Sequence, residues 1–368
     1  MSLSGTADLP LHSGHVPPWL MARMKDLANA IIKVMVEELG RREVIVRIGD
    51  PYWFQAFGCV LGFDWHSSGL TTVVMGALRE SIRLDTHGIG VAGGKGAMGV
   101  RTPQMISEAK IPEELKIQLM RASKLSAKVD NAVLQDGYNI YHHTIVFTED
   151  GDWTVVQQGM NTSNKYARRY HWISKTLESF VEEPHSGIAG DRVEKTVLNL
   201  TSSKSREARK LSVDLVSENP SRLIRLLNLI LNKQETLTRW IDLEFEVHFP
   251  PHLYMPRKIN WEAVRRAYDI KPRDYEELIQ IEGVGPSTLR ALALIATLVY
   301  GVKIDWRDPI RFTFAHGGKD GVPYPVSKKR MEESIKILNS ILESADIDKE
   351  EKLKAFRRLA NLEKKLYL

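Results

Sequence analysis

The stretch Tyr138-Asn-Ile-Tyr-His-His-Thr-Ile-Val-Phe-Thr-Glu-Asp-Gly-Asp-Trp-Thr-Val-Val-Gln-Gln-Gly-Met160 carries the clearest strand signal in the chain. Two β-rich runs, Ile140 with Ile145 to Phe147 and Trp153 with Val155 and Val156, flank the turn Glu149-Asp150-Gly151-Asp152. That is the composition of a β-hairpin. On either side the periodicity is helical. Leu20, Met24, Leu27, Ile31, Met35 and Leu39 recur at helical intervals from Pro18 to Gly40, where a glycine closes the helix. Asp50-Pro51 is a cap plus first-turn proline and opens a second helix over Tyr52 to Val60. Pro112 to Gln135 is helical again. Between Phe63 and Arg101 six glycines fall from Gly88 to Gly99, and irregular backbone is expected there.

After about residue 200 strand signals nearly vanish. Helices are expected at 203–217, 221–240, 261–269, 274–280, 287–300, 328–345 and 349–364. Pro184, Gly187 and Gly190 mark a loop and a candidate boundary near 184–200. The expected fold class is α+β: a mixed N-terminal region, 1–200, with a β-hairpin or small antiparallel sheet, and a mainly helical C-terminal region, 201–368. No fixed-period repeat points to a solenoid.

With 368 residues, 43% apolar and 26% charged, the chain can bury a sizeable core, which excludes disorder and collagen-like repeats. The lone Cys59 excludes an internal disulfide scaffold and, with no basic-then-apolar leader, leads us to expect a reducing cytoplasm. No stretch approaches the roughly 20 continuous apolar residues of a membrane span. A net charge of +5 permits a polyanionic partner without demanding one. One cysteine and eight glutamines agree with a thermophilic habitat.

One motif has a mechanism. Asp274-Tyr-Glu-Glu-Leu-Ile-Gln-Ile-Glu-Gly-Val-Gly-Pro-Ser-Thr-Leu-Arg-Ala-Leu reads as a short helix, a Gly283-Val284-Gly285 turn and a longer helix from Pro286. It resembles the helix-hairpin-helix element of many DNA-repair glycosylases, ligases, nucleases and polymerases. Its glycines let backbone approach a phosphate, and the amides of Gly285, Ser287 and Thr288 open a helix whose dipole favours an anion. Such a site grips the backbone of DNA and does not read bases, so RNA is not excluded. Gly283, Gly285, Ser287, Thr288 and Arg290 are the expected phosphate contacts, with Arg257, Lys258, Arg265, Arg266 and Arg273 able to extend the face. Against this stands an ordinary glycine-turned helix pair in protein contact. Leu289 departs from the pattern, which usually has a small residue there. In glycosylases carrying this hairpin a catalytic aspartate follows it after a helix; Asp305 stands at a comparable distance with Asp308 beyond, and Ser287 replaces the lyase lysine. That resemblance implies a monofunctional glycosylase, while Asp308-Pro309 equally reads as a helix start.

Elsewhere histidine recurs beside Ser, Asp and Gly: Leu11-His-Ser-Gly-His15, Asp64-Trp-His-Ser-Ser-Gly69, Tyr141-His-His143 and Ala315-His-Gly-Gly-Lys-Asp-Gly321. Such clusters suggest a site assembled from loops, although none has a standard metal spacing. His142 and His143, adjacent on a strand, face opposite sides. Asp136, Asp152 and the pair Gln157-Gln158 loosely resemble the polar strands of metal-dependent nucleases; Asp150 and Asp152 also fit simple turn chemistry. Lys95 lies amid glycines in Gly90 to Gly99, a composition suited to wrapping a phosphate, as is His316 to Gly321.

These stretches, together with Ala7-Asp-Leu-Pro-Leu-His12, Phe54 to Gly69 and Ala315 to Val326, resemble the archaeal and bacterial family designated domain of unknown function 763. The resemblance spans nearly the whole chain and implies no activity. The leading expectation is a DNA-processing enzyme, a repair-type nuclease whose hairpin holds the strand. Its catalytic candidates are His66, Asp64, Lys95, Asp136, His142, His143 and Gln158, with a divalent metal (Mg, Mn or Zn) or a histidine acid and base. The alternatives are a glycosylase using Asp305 and a non-catalytic DNA-binding or scaffold protein. Convergence of His12, His66, Lys95, His142 and Gln158 in space would favour catalysis.

Overall fold

The computed structural model describes residues 16–62, 69–190, 192–240, 255–256, 258–310 and 328–367. Its helices are α1 (Pro18–Leu39), α2 (Arg41–Gly49), α3 (Pro51–Val60), α4 (Leu70–Ser81), α5 (Leu84–His87), α6 (Ala97–Val100), α7 (Thr102–Ser107), α8 (Glu113–Lys128), α9 (Arg206–Ser217), α10 (Pro220–Trp240), α11 (Trp261–Ile270), α12 (Tyr275–Gln280), α13 (Pro286–Tyr300), α14 (Lys328–Ser344) and α15 (Lys349–Tyr367). Strands are β1 (Ile89–Lys95), β2 (Leu134–Gln135), β3 (Asn139–Thr148), β4 (Trp153–Met160), β5 (Ala167–Ile173), β6 (Gly187–Gly190) and β7 (Leu198–Asn199). The fold is a mixture of helix and antiparallel sheet, the C-terminal part mostly helical.

The expected hairpin is β3 and β4, and it forms the middle of a five-stranded antiparallel sheet in the order β1-β3-β4-β5-β6. Both faces of this sheet are covered. On one, Ile89, Val146, Val156 and Ala189 join a core with α1 to α4, α14 and α15. On the other, Ala92, Ile145, Phe147, Val155 and Trp172 join α8 and the helices α9 to α13. Two-sided burial explains why Ile145-Val146-Phe147 is continuously apolar instead of alternating. The chain returns at its end to the N-terminal layer, where Arg358 donates to the Val60 carbonyl at 3.0 Å.

Asp50 caps α3 as its sequence predicts, accepting from the amides of Tyr52 (2.8 Å) and Trp53 (2.9 Å). Two expectations are corrected. The segment 63–101 is not irregular throughout: it contains α4, α5, β1 and α6, while 63–68 lies outside the described residues. The glycines of β1 serve packing. A Cβ on Gly90 would meet the Phe147 ring at 2.4 Å, so the missing side chain makes room for the aromatic. Likewise Gly187 to Gly190, expected as loop, is strand β6 against β5, with Ile188 and Ala189 buried. Its small residues lie at the sheet edge, where a short strand is tolerated.

Candidate functional site: a glycine corner and a polar row

The corner between α12 and α13 is built from below. Val284 and Leu289 are buried and anchor it, and Leu289 fills the core between helices where the hairpin pattern usually has a small residue. Glu282, Gly283, Pro286 and Ser287 are exposed. Gly283 has φ +85°, a left-handed conformation that favours glycine, and a Cβ there would displace the side-chain ends of Asn260 (Nδ2 at 2.6 Å) and Arg266 (Nη2 at 2.8 Å). The Glu282 carbonyl accepts from Arg266 Nε (3.2 Å) and Nη2 (2.9 Å), which fixes a guanidinium beside the turn. The Pro286 carbonyl accepts from Gln135 Nε2 at 2.8 Å. Among the described residues the amides of Gly285, Ser287 and Thr288 donate to no backbone or side-chain acceptor. They open α13, a helix of 15 residues whose dipole adds positive character there. Lys258, Arg265 and Arg273 are exposed nearby in sequence, Arg273 pairing with Glu277. Arg290 is half-buried, its guanidinium 5.9 Å from the Trp306 ring centre. Arg257 lies outside the described residues.

The sheet brings other candidates together. Lys95, His142, Gln158 and Arg169 are directly opposite one another on β1, β3, β4 and β5, a polar row crossing four strands on the face beneath α3 and α4. A bulge between Ile140 and His142 frees Tyr141, whose hydroxyl accepts from Gln158 Nε2. His142 is 1% exposed; its Nε2 is bonded to Thr144 Oγ1 at 2.9 Å, and among the described residues its Nδ1 has no partner. Burial pushes its pKa down to about 3, with His143, Arg79 and Lys95 adding to the effect, so the ring is neutral at ordinary pH. Arg79 reaches in from α4 and donates to the Gly93 carbonyl at 3.0 Å. At the far end Arg169 donates to His171 Nε2 (2.7 Å) and Gln55 Oε1 (3.0 Å) and lies over Phe54. Burial, with Arg169 beside it, holds His171 well below the usual histidine range.

His143 belongs to the opposite face. Its Nδ1 lies 2.8 Å from Gln157 Oε1 and its Nε2 2.7 Å from Ser123 Oγ. Because a carbonyl oxygen only accepts, Nδ1 carries the proton and the Ser123 hydroxyl donates to Nε2. Gln157 Nε2 in turn donates to Asp130, which also accepts from Trp172 Nε1 at 3.0 Å and bonds His185 Nε2. Asp130 is held inward by a π-helical turn, Val129–Val133, after α8. Burial lowers the His143 pKa. With Ser123 3% exposed and Asp130 fully buried, this serine, histidine, amide and carboxylate chain is a satisfied core network.

Two aspartates expected as catalytic are committed elsewhere. Asp136 accepts from Arg168 Nη1 (2.8 Å), the Tyr170 hydroxyl (2.7 Å) and the Tyr138 amide (3.0 Å). Arg168, fully buried over the Tyr138 ring, also pairs with Asp308 at 2.7 Å and so ties the sheet to the segment after α13. Asp305 accepts from Arg307 Nε and Nη2, both at 3.0 Å, and from the Ser202 hydroxyl at 2.8 Å. Chiefly the Arg307 bonds hold its carboxyl down at about 2. Asp150 and Asp152 pair with Arg41 and Arg42, as turn acids do.

His12, Asp64 and His66, and the 315–321 cluster, lie outside the described residues. Of the five expected to converge, Lys95, His142 and Gln158 do share one row. Sequence reading missed Arg79, Arg169, His171 and Asp130. The run Arg168-Arg-Tyr-His171, charged inside a strand buried on both faces, was the available signal. Among the described residues no three His, Cys, Asp or Glu side chains are grouped to hold a metal ion. No described helix is long and apolar enough to cross a membrane.

Fold and site together define a three-layer protein: an antiparallel sheet carrying a basic and amide row, sandwiched between helices that present an exposed glycine corner. The chain belongs to the family described as protein of unknown function (DUF763), which matches residues 5–326. No curated protein matches it, and no solved structure does.

Proposed function

We propose that this protein binds the sugar-phosphate backbone of DNA through a helix-hairpin-helix centred on 283–288 and processes the strand it holds, as a nuclease does. The observation that carries the reading is the exposed corner itself. Three undonated amides at the head of a 15-residue helix stand next to a guanidinium fixed by the Glu282 carbonyl. A corner wholly packed against neighbouring protein would leave no room for a strand; here Glu282, Gly283, Pro286 and Ser287 face solvent, while Thr288 is buried and Gly285 half-buried. Recognition of this kind is blind to base sequence and admits RNA as well.

Both carboxylate oxygens of Asp305 are engaged, which favours hydrolysis of a phosphodiester over a glycosylase centred on that residue. The test is a panel of labelled single-stranded, duplex, flap and abasic oligonucleotides, followed by anisotropy and by gel, with and without chelator. Ser287→Glu places a carboxylate at the exposed head of α13 and is expected to weaken binding by about tenfold or more, roughly 1.4 kcal/mol. Binding unchanged by that substitution overturns the corner as the grip; no cleavage in any metal ion overturns the nuclease reading.

A further inference from the structure

The row on the sheet is separate from the corner: it faces α3 and α4, whereas α12 and α13 pack on the other side. Four observations bear on what it holds. Lys95 and His142 are register partners on one face, and among the described residues the Lys95 ammonium has no ion-pair or hydrogen-bond partner. Arg79 is pressed over the same loop, occupying the place a Gly94 Cβ would fill, 2.7 Å from Nη1. The loop is held in that shape by left-handed glycines, with φ +106° at Gly93, +152° at Gly94 and +58° at Gly96, and by the Gly96 amide donating to the Tyr141 carbonyl at 2.8 Å. Finally, among the described residues His142 Nδ1 is buried without a partner, a costly state unless a ligand relieves it.

Among the described residues the surplus beside Lys95 and His142 is of donors. Tyr141 accepts from Gln158 and so keeps its own hydroxyl proton to give; the Lys95 ammonium, with the Arg79 guanidinium that also pairs with Glu80 at 3.6 Å, supplies charge that the neutral imidazole cannot cancel. A tetrahedral anion satisfies such a set better than a carboxylate does, since it offers oxygens in several directions at once. We propose that Lys95, Arg79, His142 and Tyr141, backed by Gln158 and Arg169, form a phosphate-binding site. Lys95 is the exposed entry contact and His142 Nδ1 the innermost one. The site stands on its own geometry; only the source of the phosphate, a nucleic-acid strand, rests on the reading above.

The experiment uses the full chain and inorganic phosphate, then a 5′-phosphorylated and an unphosphorylated dinucleotide, followed by calorimetry and by the imidazole nitrogen resonances of His142. Phosphate is expected to move the His142 Nδ1 resonance. Lys95→Met is expected to weaken phosphate at this site by about tenfold or more with circular dichroism unchanged, and Ser287→Glu to leave the phosphate-induced shift of the His142 resonance intact. A folded protein whose His142 resonances ignore phosphate overturns the proposal, as does binding that Lys95→Met leaves unchanged. Phosphate and dinucleotide binding without any oligonucleotide binding supports the site and removes the nucleic-acid reading. Preference for the phosphorylated dinucleotide identifies a strand as the source, and equal affinity for free phosphate identifies the ion.

Discussion

Lowering the pH from about 7.5 to about 5 should destabilise this protein through histidines that fold neutral. His142 is the case with a magnitude. Its pKa falls from 6.5 to about 3 on folding, because burial strips water from the charged form and Arg79 and Lys95 repel it. A depressed folded-state value means that the unfolded chain takes up the proton first. Stability is therefore fully present above about pH 6.5 and is lost as pH falls toward about 3. At pH 5 the unfolded imidazole is about 97% protonated and the folded one scarcely at all, which amounts to about 2 kcal/mol for this one ring. His143 and His171 are shifted the same way by burial and add to the loss. The assay is urea unfolding followed by tryptophan fluorescence across that range, alongside His142→Gln, which removes the titration while keeping a polar group near Thr144. Wild type should lose about 2 kcal/mol more than the variant between the two pH values. Equal losses, or a His142 resonance titrating near 6.5 in the folded protein without ligand, refute the reasoning.

Arg168→Met leaves the Asp136 and Asp308 carboxylates buried and uncompensated, and should cost about 3–5 kcal/mol in urea unfolding; a loss under about 1 kcal/mol would mean the ion triad is dispensable. Gly283→Ala forces a Cβ into a left-handed position against Asn260 and Arg266, and should lower stability by about 1–3 kcal/mol together with oligonucleotide affinity. An unchanged melting temperature would show that the corner tolerates a side chain.

Much of the architecture was legible from local signals. The Glu149 to Asp152 turn, the Asp50-Pro51 cap, the periodicity of Leu20 to Leu39 and the helices after residue 200 each depend on neighbours a few residues away, and the folded chain obeys them. The Gly-Val-Gly corner is of the same kind, since φ +85° at Gly283 is a property of that turn. Strands β1 and β6 were illegible because their glycines signal flexibility locally, while their purpose is to let Phe147 and the sheet edge pack. The polar row was illegible for a deeper reason. Lys95, His142, Gln158 and Arg169 are scattered over 75 positions of sequence, and only antiparallel register sets them side by side. By itself the sequence determined which segments are helix or hairpin and that His142 and His143 part to opposite faces. Tertiary structure alone decided that His143 is satisfied by Ser123 and Gln157 while His142 keeps a nitrogen without a partner among the described residues, because hydrogen-bond partners come from whichever strand or helix is packed alongside.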